Sequence, residues 1–284
     1  MTTIGTTAAT SIANTRKYAL RDSMSMLRRQ LKHQLRYPTV ILLVLGIPII
    51  LLLLFVYVFG DTMGAGLGGG GRDTYTNYVT PAILVMTVAS AVQGTSISVA
   101  MDMAEGIVAR FRTMAIARVS VLNGHVLGSL IQTMAGLAAV VGVALLIGFN
   151  PNATAIEWLA VTGLFALFSL AMIWLAVALG LWTKTVEAAS NVGMPLILLP
   201  FLGSGFVPTD SMPGGLRWFA EYQPFTPIME TVRGLLMGAE IGSSGWQALA
   251  WCVGIALVSY VWAKKLYNRD PSAAGRSYSA MTAA

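Results

Sequence analysis

Charged residues along this chain are separated by six long neutral stretches. Between Arg36 and Asp61 lie 24 uncharged residues, between Asp73 and Asp102 28, between Arg118 and Glu157 38, between Glu157 and Lys184 26, between Glu187 and Asp210 22, and between Glu240 and Lys264 23. A helix needs about 20 predominantly apolar residues to cross a hydrocarbon core about 30 Å thick. Each stretch therefore predicts one span. The longest is interrupted late by Asn150-Pro151-Asn152 and Thr154, turn chemistry that closes one helix rather than dividing two. The predicted spans are 39–60, 78–101, 121–148, 157–182, 188–204 and 246–265.

Outside the spans, residues 1–15 are rich in Thr and Ala without an apolar period and read as a disordered tail. Residues 268–284 read as a second tail, which leaves 16–267 as a single membrane domain. From 18 to 36, Leu20, Met24, Leu27, Leu31 and Leu35 recur at steps of three and four, one face of a helix. Arg21, Arg28, Arg29, Lys32 and Arg36 interleave with them. A basic amphipathic helix ahead of a span belongs on the membrane surface, where it either meets lipid headgroups alone or also docks a protein.

Composition agrees with the pattern. Of 284 residues, 56% are hydrophobic and 11% charged, with a mean hydropathy of +0.70. Soluble domains carry about 25% charged residues, so a soluble enzyme and a disordered chain are both excluded. The net charge of +6 reports topology rather than nucleic-acid binding. With six spans, 15 of the 18 Lys and Arg fall on the side of both termini, and only Arg72, Arg217 and Arg233 on the other. Basic residues gather in cytoplasmic segments, so both termini are expected in the cytoplasm. The first apolar run is too long for a signal-peptide core, and no cleavable leader is expected. A lone cysteine, Cys252, rules out an internal disulfide.

Three connections stand out. The first external loop holds Gly64, Gly66 and Gly68 to Gly71, but Arg72-Asp73 follows where a phosphate loop needs Lys-Ser/Thr. A flexible linker is expected there. The cytoplasmic connection 101–119 carries Glu105, Gly106, Arg110, Phe111 and Arg112 around Met114 and Ile116. Apolar residues between charges fit either a helical hairpin at the lipid interface or a docking surface for a cytoplasmic partner. The third, 187–240, holds Pro195, Pro200, Pro208, Pro213, Pro224 and Pro227. Interior prolines break helices, and broken backbone survives at membrane depth only where protein or water covers it. A helix to about residue 203 is expected, then a re-entrant or interfacial helical hairpin on the outer side. Trp218, Phe219, Tyr222 and Phe225 suit the membrane interface, and Glu230 and Arg233, three apart, are placed to pair.

The missing chemistry is equally informative. Apart from Glu157, Lys264 and Lys265 at span ends, no Asp, Glu, Lys or Arg lies within the predicted membrane-embedded parts, whereas ion-coupled transporters place ionisable residues there. His125, near the cytoplasmic end of the third span, reads as a hydrogen-bonded structural group rather than a proton relay. His33, His125 and Cys252 are too few and too far apart for a metal cluster. Ser204 has no histidine on its side of the membrane to activate it. With no phosphate-binding loop, any ATPase must be another chain.

On these features the chain resembles the permease subunits of type-2 ABC exporters, in particular the daunorubicin-resistance kind of bacterial drug-efflux permease, over roughly residues 18–267. The basic helix at 18–36 is similar to the family's connecting helix. Glu105-Gly106, Arg110, Phe111, Arg118 and Gly124 resemble its cytoplasmic coupling segment, although Ile107 and Ala115 stand where the family commonly has Thr and Pro. Gly205-Phe206-Val207-Pro208, Met212-Pro213, Trp218, Pro224-Phe225-Thr226-Pro227 and Arg233 resemble the signature between the fifth and sixth spans. The resemblance implies an all-α protein in the bacterial cell membrane, with six transmembrane helices and an extracellular re-entrant hairpin between spans five and six. It implies a dimer, with the same or a second permease, served by cytoplasmic nucleotide-binding subunits that hold ATP and Mg. No cofactor is implied in this chain. The implied path runs beside the two-fold axis along the second and fifth spans. Met86, Gln93, Asn191, Met194 and Phe201 are candidate wall residues, with ordinary helix packing as the competing role of each. A charge-free path suits a hydrophobic or amphiphilic cargo. Export of a lipid or lipid-linked polymer, and a non-transporting membrane anchor or regulator, are the alternative functions.

Overall fold

The computed structural model describes residues 38–104, 118–183 and 185–267, with side chains from 46 in the first stretch and from 126 in the second. The described residues are helical with no strand. Helix α1, Pro38–Leu54, continues through a π-helical turn, Phe55–Phe59, into α2, Gly60–Gly66. Helix α3 spans Gly71–Ala104, α4 Arg118–Leu146 and α5 Ala155–Trp182. Short pieces follow: α6, Val186–Val192, α7, Met194–Leu198, and a 3₁₀ turn, Leu199–Leu202. After a 3₁₀ turn at Thr209–Ser211 come α8, Gly214–Tyr222, and α9, Phe225–Met237; α10, Ser244–Tyr267, closes the described chain. Five helical stretches are long and apolar enough to cross a membrane, and Val186–Leu202 is a shorter apolar one.

Helix α3 is the axle of the bundle. Every side chain from Val79 to Ala89 is buried, as a helix apolar on all sides requires. It packs against α1, α4, α5, α6 and α9. Helix α5 lies between α3 and α10, contributing Phe168 and Met172 to the main core. A second cluster, Val99, Val126, Ile173, Val177, Ala263 and Tyr267, gathers the ends of α3, α5 and α10 with the start of α4. The outward faces of α1 and α10 are apolar, with Ile50 and Val258 exposed, and face where lipid would lie.

The glycine-rich loop departs from the expected linker. It is a tight helix hairpin. Helix α2 runs through Gly64, and a side chain at that position would land on the Gly71 carbonyl. Gly68 and Gly69 turn the chain at φ values of +104° and +95°, which glycine adopts without strain. Arg72 then lies 5.3 Å from the centroid of the Tyr57 ring. Glycine here supplies close approach rather than slack.

Turn 147–154 closes the same end of the molecule. Asn150 donates its N–H to Asn77 Oδ1 at 3.0 Å, and Asn152 donates to the Leu236 carbonyl at 2.9 Å. Thr154 and Glu157 cap α5 reciprocally, the Ser/Thr-x-x-Glu pattern that satisfies free N–H groups at a helix start.

Candidate functional site

The region after α5 takes its shape from its prolines and glycines. Helix α6 stops at Gly193, so its last carbonyls lack intrahelical donors. Helix α3 supplies them: Gln93 Nε2 donates to Ser190 O at 2.8 Å, and Ser96 Oγ to Ala189 O at 3.1 Å. Gly193 packs directly on the Gln93 backbone. Replacing Gln93 by leucine strands the Ser190 carbonyl and is expected to cost about 1 kcal/mol, within the range for hydrogen bonds between membrane helices. A lowered thermal midpoint of the purified protein would show it. An unchanged midpoint would mean that water replaces the amide.

At the opposite end of α3, residues 203–208 form a strap of consecutive turns packed against α3 and α9. Gly205 presses on Ala82 and Met229, where an added Cβ would stand 2.6 Å from each. Tyr78 donates its hydroxyl to Ser204 O at 2.7 Å, and Tyr75 donates to Phe206 O at 3.4 Å. Ser204 N–H donates to Thr226 Oγ1 at 3.3 Å. Arg233 Nη2 donates to Ser204 O at 3.0 Å and to Tyr78 O at 3.2 Å, with the guanidinium 3.9 Å from the Tyr78 ring centroid. Pro81 lies inside α3 and withholds the N–H that would bond Asn77 O. The side-chain donors gather beside this break in the α3 ladder. Phe206 stacks on Phe201 at 4.5 Å and tilts against Phe55 at 4.7 Å.

Two expectations are corrected here. Glu230 and Arg233 take separate partners: Glu230 accepts from Ser244 Oγ at 2.7 Å, while Arg233 turns to α3 and the strap. The two carbonyls and the ring face satisfy the guanidinium across the bundle, while Glu230 on the same helix acts on it through its charge without a direct bond. Phe225 is buried, edge-on to Phe168 at 5.9 Å, rather than at a membrane interface. Trp218, Phe219 and Tyr222 are exposed on α8, whose Arg217 pairs with Glu221 and Asp210, each at 2.7 Å. The bond from Glu221, with help from Asp210, raises the guanidinium above its ordinary range.

The prolines serve as helix starts. Pro208 precedes the Thr209–Ser211 turn, Pro213 precedes α8 and Pro224 precedes α9, while Pro227 is buried in the first turn of α9. Proline fits there because first-turn N–H groups lack intrahelical acceptors anyway.

Of the candidate path residues, Met86 lies in the packed core and Gln93 is committed to Ser190. Asn191 and Met194 are exposed, on a stripe continued by Leu198 and Leu202. Phe201 is half-buried in the aromatic cluster. The structure brings Gln93 beside the α6–α7 break and sets Met86 apart from the exposed stripe. Glu105, Gly106, Arg110, Phe111 and Arg112, the helix at 18–36 and both tails lie outside the described residues, as does the side chain of His125. Pro81, Tyr75 and Tyr78 were not among the sequence-derived candidates, and Thr226 entered only as part of the Pro224-Phe225-Thr226-Pro227 signature. A proline inside an otherwise perfect span was the available signal for Pro81.

The architecture defines a multi-pass, all-helical membrane protein with one broken apolar helix and a strap joined to its central helix. Residues 22–237 match the ABC-2 type transporter family, and the chain belongs to that family. It is 26% identical over 254 residues to the daunorubicin resistance ABC transporter permease protein DrrB1 of Streptomyces coeruleorubidus, covering 88% of this chain and 84% of that one. It is 23% identical over 213 residues to the probable doxorubicin resistance ABC transporter permease protein DrrC of Mycobacterium tuberculosis, covering 75% and 77%.

Proposed function

We propose that this chain is the permease subunit of an ATP-driven exporter of hydrophobic or amphiphilic drug-like compounds in a bacterial cell membrane. The observation that carries the reading is the set of six long stretches free of Asp, Glu, Lys and Arg in a member of this family. Spans without acidic or basic side chains along their length give a proton or ion gradient no carboxylate or amine to act on, so the drive comes from a separate cytoplasmic subunit that binds ATP and Mg. The names of the drug-resistance relatives support the cargo class.

In this reading Val186–Leu202 is the fifth of six spans, and α8–α9 form the outer hairpin. The 15-to-3 distribution of basic residues supports cytoplasmic termini. The segment around Glu105, Gly106, Arg110, Phe111 and Arg112 receives the ATPase. The exposed stripe of Asn191, Met194, Leu198 and Leu202 faces the path or a second permease copy.

The test is purification of the tagged chain followed by transport in proteoliposomes, with daunorubicin and doxorubicin as probes. A nucleotide-binding chain should copurify, and uptake into inside-out vesicles should need ATP and survive a proton ionophore. Uptake that continues without ATP and stops with the ionophore would overturn the reading.

A further inference from the structure

Helix α3 links the two ends of the molecule directly. Its 34 residues run without interruption from Gly71 to Ala104, about 50 Å at 1.5 Å per residue. Its last residue adjoins Glu105, where the coupling segment begins. Its first turns hold Tyr75 and Tyr78, which grip the strap through the Phe206 and Ser204 carbonyls. The same helix grips the broken α6 through Gln93 and Ser96. The segment from 186 to 206 is thus fastened to α3 near both of its ends.

Ser204 is the most heavily held residue of the strap. Its N–H is taken by Thr226 of α9, and its carbonyl accepts from Tyr78 of α3 and Arg233 of α9. Arg233 also reaches the Tyr78 carbonyl and covers the Tyr78 ring. One guanidinium therefore joins α3, α9 and the strap. Holding the strap in place would need only the tyrosine hydroxyl on the Ser204 carbonyl. The additional bond to the α3 backbone makes the strap follow α3 when that helix shifts. Charge-assisted bonds shielded from water are strong enough to carry such a shift, and the glycines at 203 and 205 leave no gap in which it could be absorbed.

We propose that Tyr78 and Arg233 form a clip that makes residues 203–208 move with α3, so that a displacement imposed at the coupling segment reaches the opposite membrane face as a displacement of the strap. Arg233 and Tyr78 are positioning residues in this device, acting on the exit side without touching cargo. The inference rests on the ATP-driven exporter reading.

The test uses the full permease with its copurifying ATPase chain in lipid nanodiscs, on a Cys252→Ala background. Environment-sensitive labels are placed singly at Val207 in the strap and at Met103 near the end of α3, both exposed positions. Each is read with and without ATP plus vanadate. Both labels should respond in the parent. In Arg233→Lys the Met103 response should persist while the Val207 response falls by about fivefold or more, the lower end of typical coupling between sites. Tyr78→Phe keeps the ring beneath the guanidinium and loses one hydroxyl; it should weaken the Val207 response in the same direction, and it decides the matter if the lysine variant does not fold. A Val207 response that survives intact overturns the clip, as does a parent in which Met103 alone responds. A parent in which neither label responds overturns the exporter reading and the clip together.

Discussion

Replacing Arg233 by methionine is expected to lower the stability of the folded permease by about 2–3 kcal/mol, the usual effect of losing a charged hydrogen-bond donor from a buried site. The substitution keeps most of the apolar stem. It removes both bonds from Nη2 and the cation above the Tyr78 ring. Ser204 O keeps the Tyr78 hydroxyl, so part of the strap's hydrogen bonding survives. Tyr78 O stays in the α3 ladder, since Pro81 withdraws its N–H from Asn77 O. Eliminating a buried charge also relieves its desolvation, which offsets some of the loss and keeps the expected figure below the sum of the separate bonds. Lysine at the same position should lose less stability, because it retains the charge and one donor direction. Thermal unfolding in detergent, followed through tryptophan fluorescence, should rank wild type above lysine and lysine above methionine. A methionine variant as stable as wild type would show that the guanidinium contributes no net stability to the strap.

The ends of the long helices were legible in the charge spacing. The expected 121–148, 157–182 and 246–265 correspond to Arg118–Leu146, Ala155–Trp182 and Ser244–Tyr267. Helix α3 begins earlier than the expected 78 because a neutral-stretch ruler measures hydrocarbon thickness, whereas Gly71 to Asn77 are helical and polar. The end near 203 of the apolar stretch Val186–Leu202 was also legible, since Pro195, Pro200 and Gly203 all oppose regular continuation. Its division at Gly193 was not, because that break is stabilised by Gln93 and Ser96, about 95 positions away in sequence. Arg233 shows the same limit. The i,i+3 rule offers Glu230 as its partner, but tertiary packing presents Tyr78, 155 residues distant, and the Ser204 carbonyl. Glycines misled in the opposite sense. Gly64 and Gly68 to Gly71 read as slack by composition, yet Gly64 lets α2 and α3 close together for want of a side chain, and Gly68, Gly69 and Gly71 turn the chain at positive φ. Local pattern predicts where helices run. The strap depends on residues that meet only after those helices pack.

Gly205→Ala is expected to be the most damaging single-methyl addition in this region, costing about 1–3 kcal/mol as an overpacked core position, and Gly205→Val more. The new Cβ would stand 2.6 Å from Ala82 Cβ and from Met229 Sδ. Met229 could swing aside only within a fully buried site. Ala82 cannot swing, because its Cβ is fixed to the backbone of the most deeply packed turn of α3. The strap must therefore lift, and lifting it lengthens the bonds at Ser204 and Phe206 together. Gly203→Ala makes a contact nearly as short, 2.7 Å, but with the side-chain atoms Gln223 Nε2 and Thr226 Oγ1; the long Gln223 side chain can give way, and moving Thr226 sacrifices only its bond from Ser204 N–H. It should be the milder change. Gly215→Ala meets nothing within 4 Å and lies inside α8, where alanine is favoured over glycine by about 1 kcal/mol as a helix former. Stability should accordingly run Gly215→Ala at or above wild type, then Gly203→Ala, then Gly205→Ala, with transport following the same order if the strap forms part of the exit. If Gly205→Ala were as stable as Gly215→Ala, the strap would not be pressed against α3, and the close approach that joins these elements would be wrong.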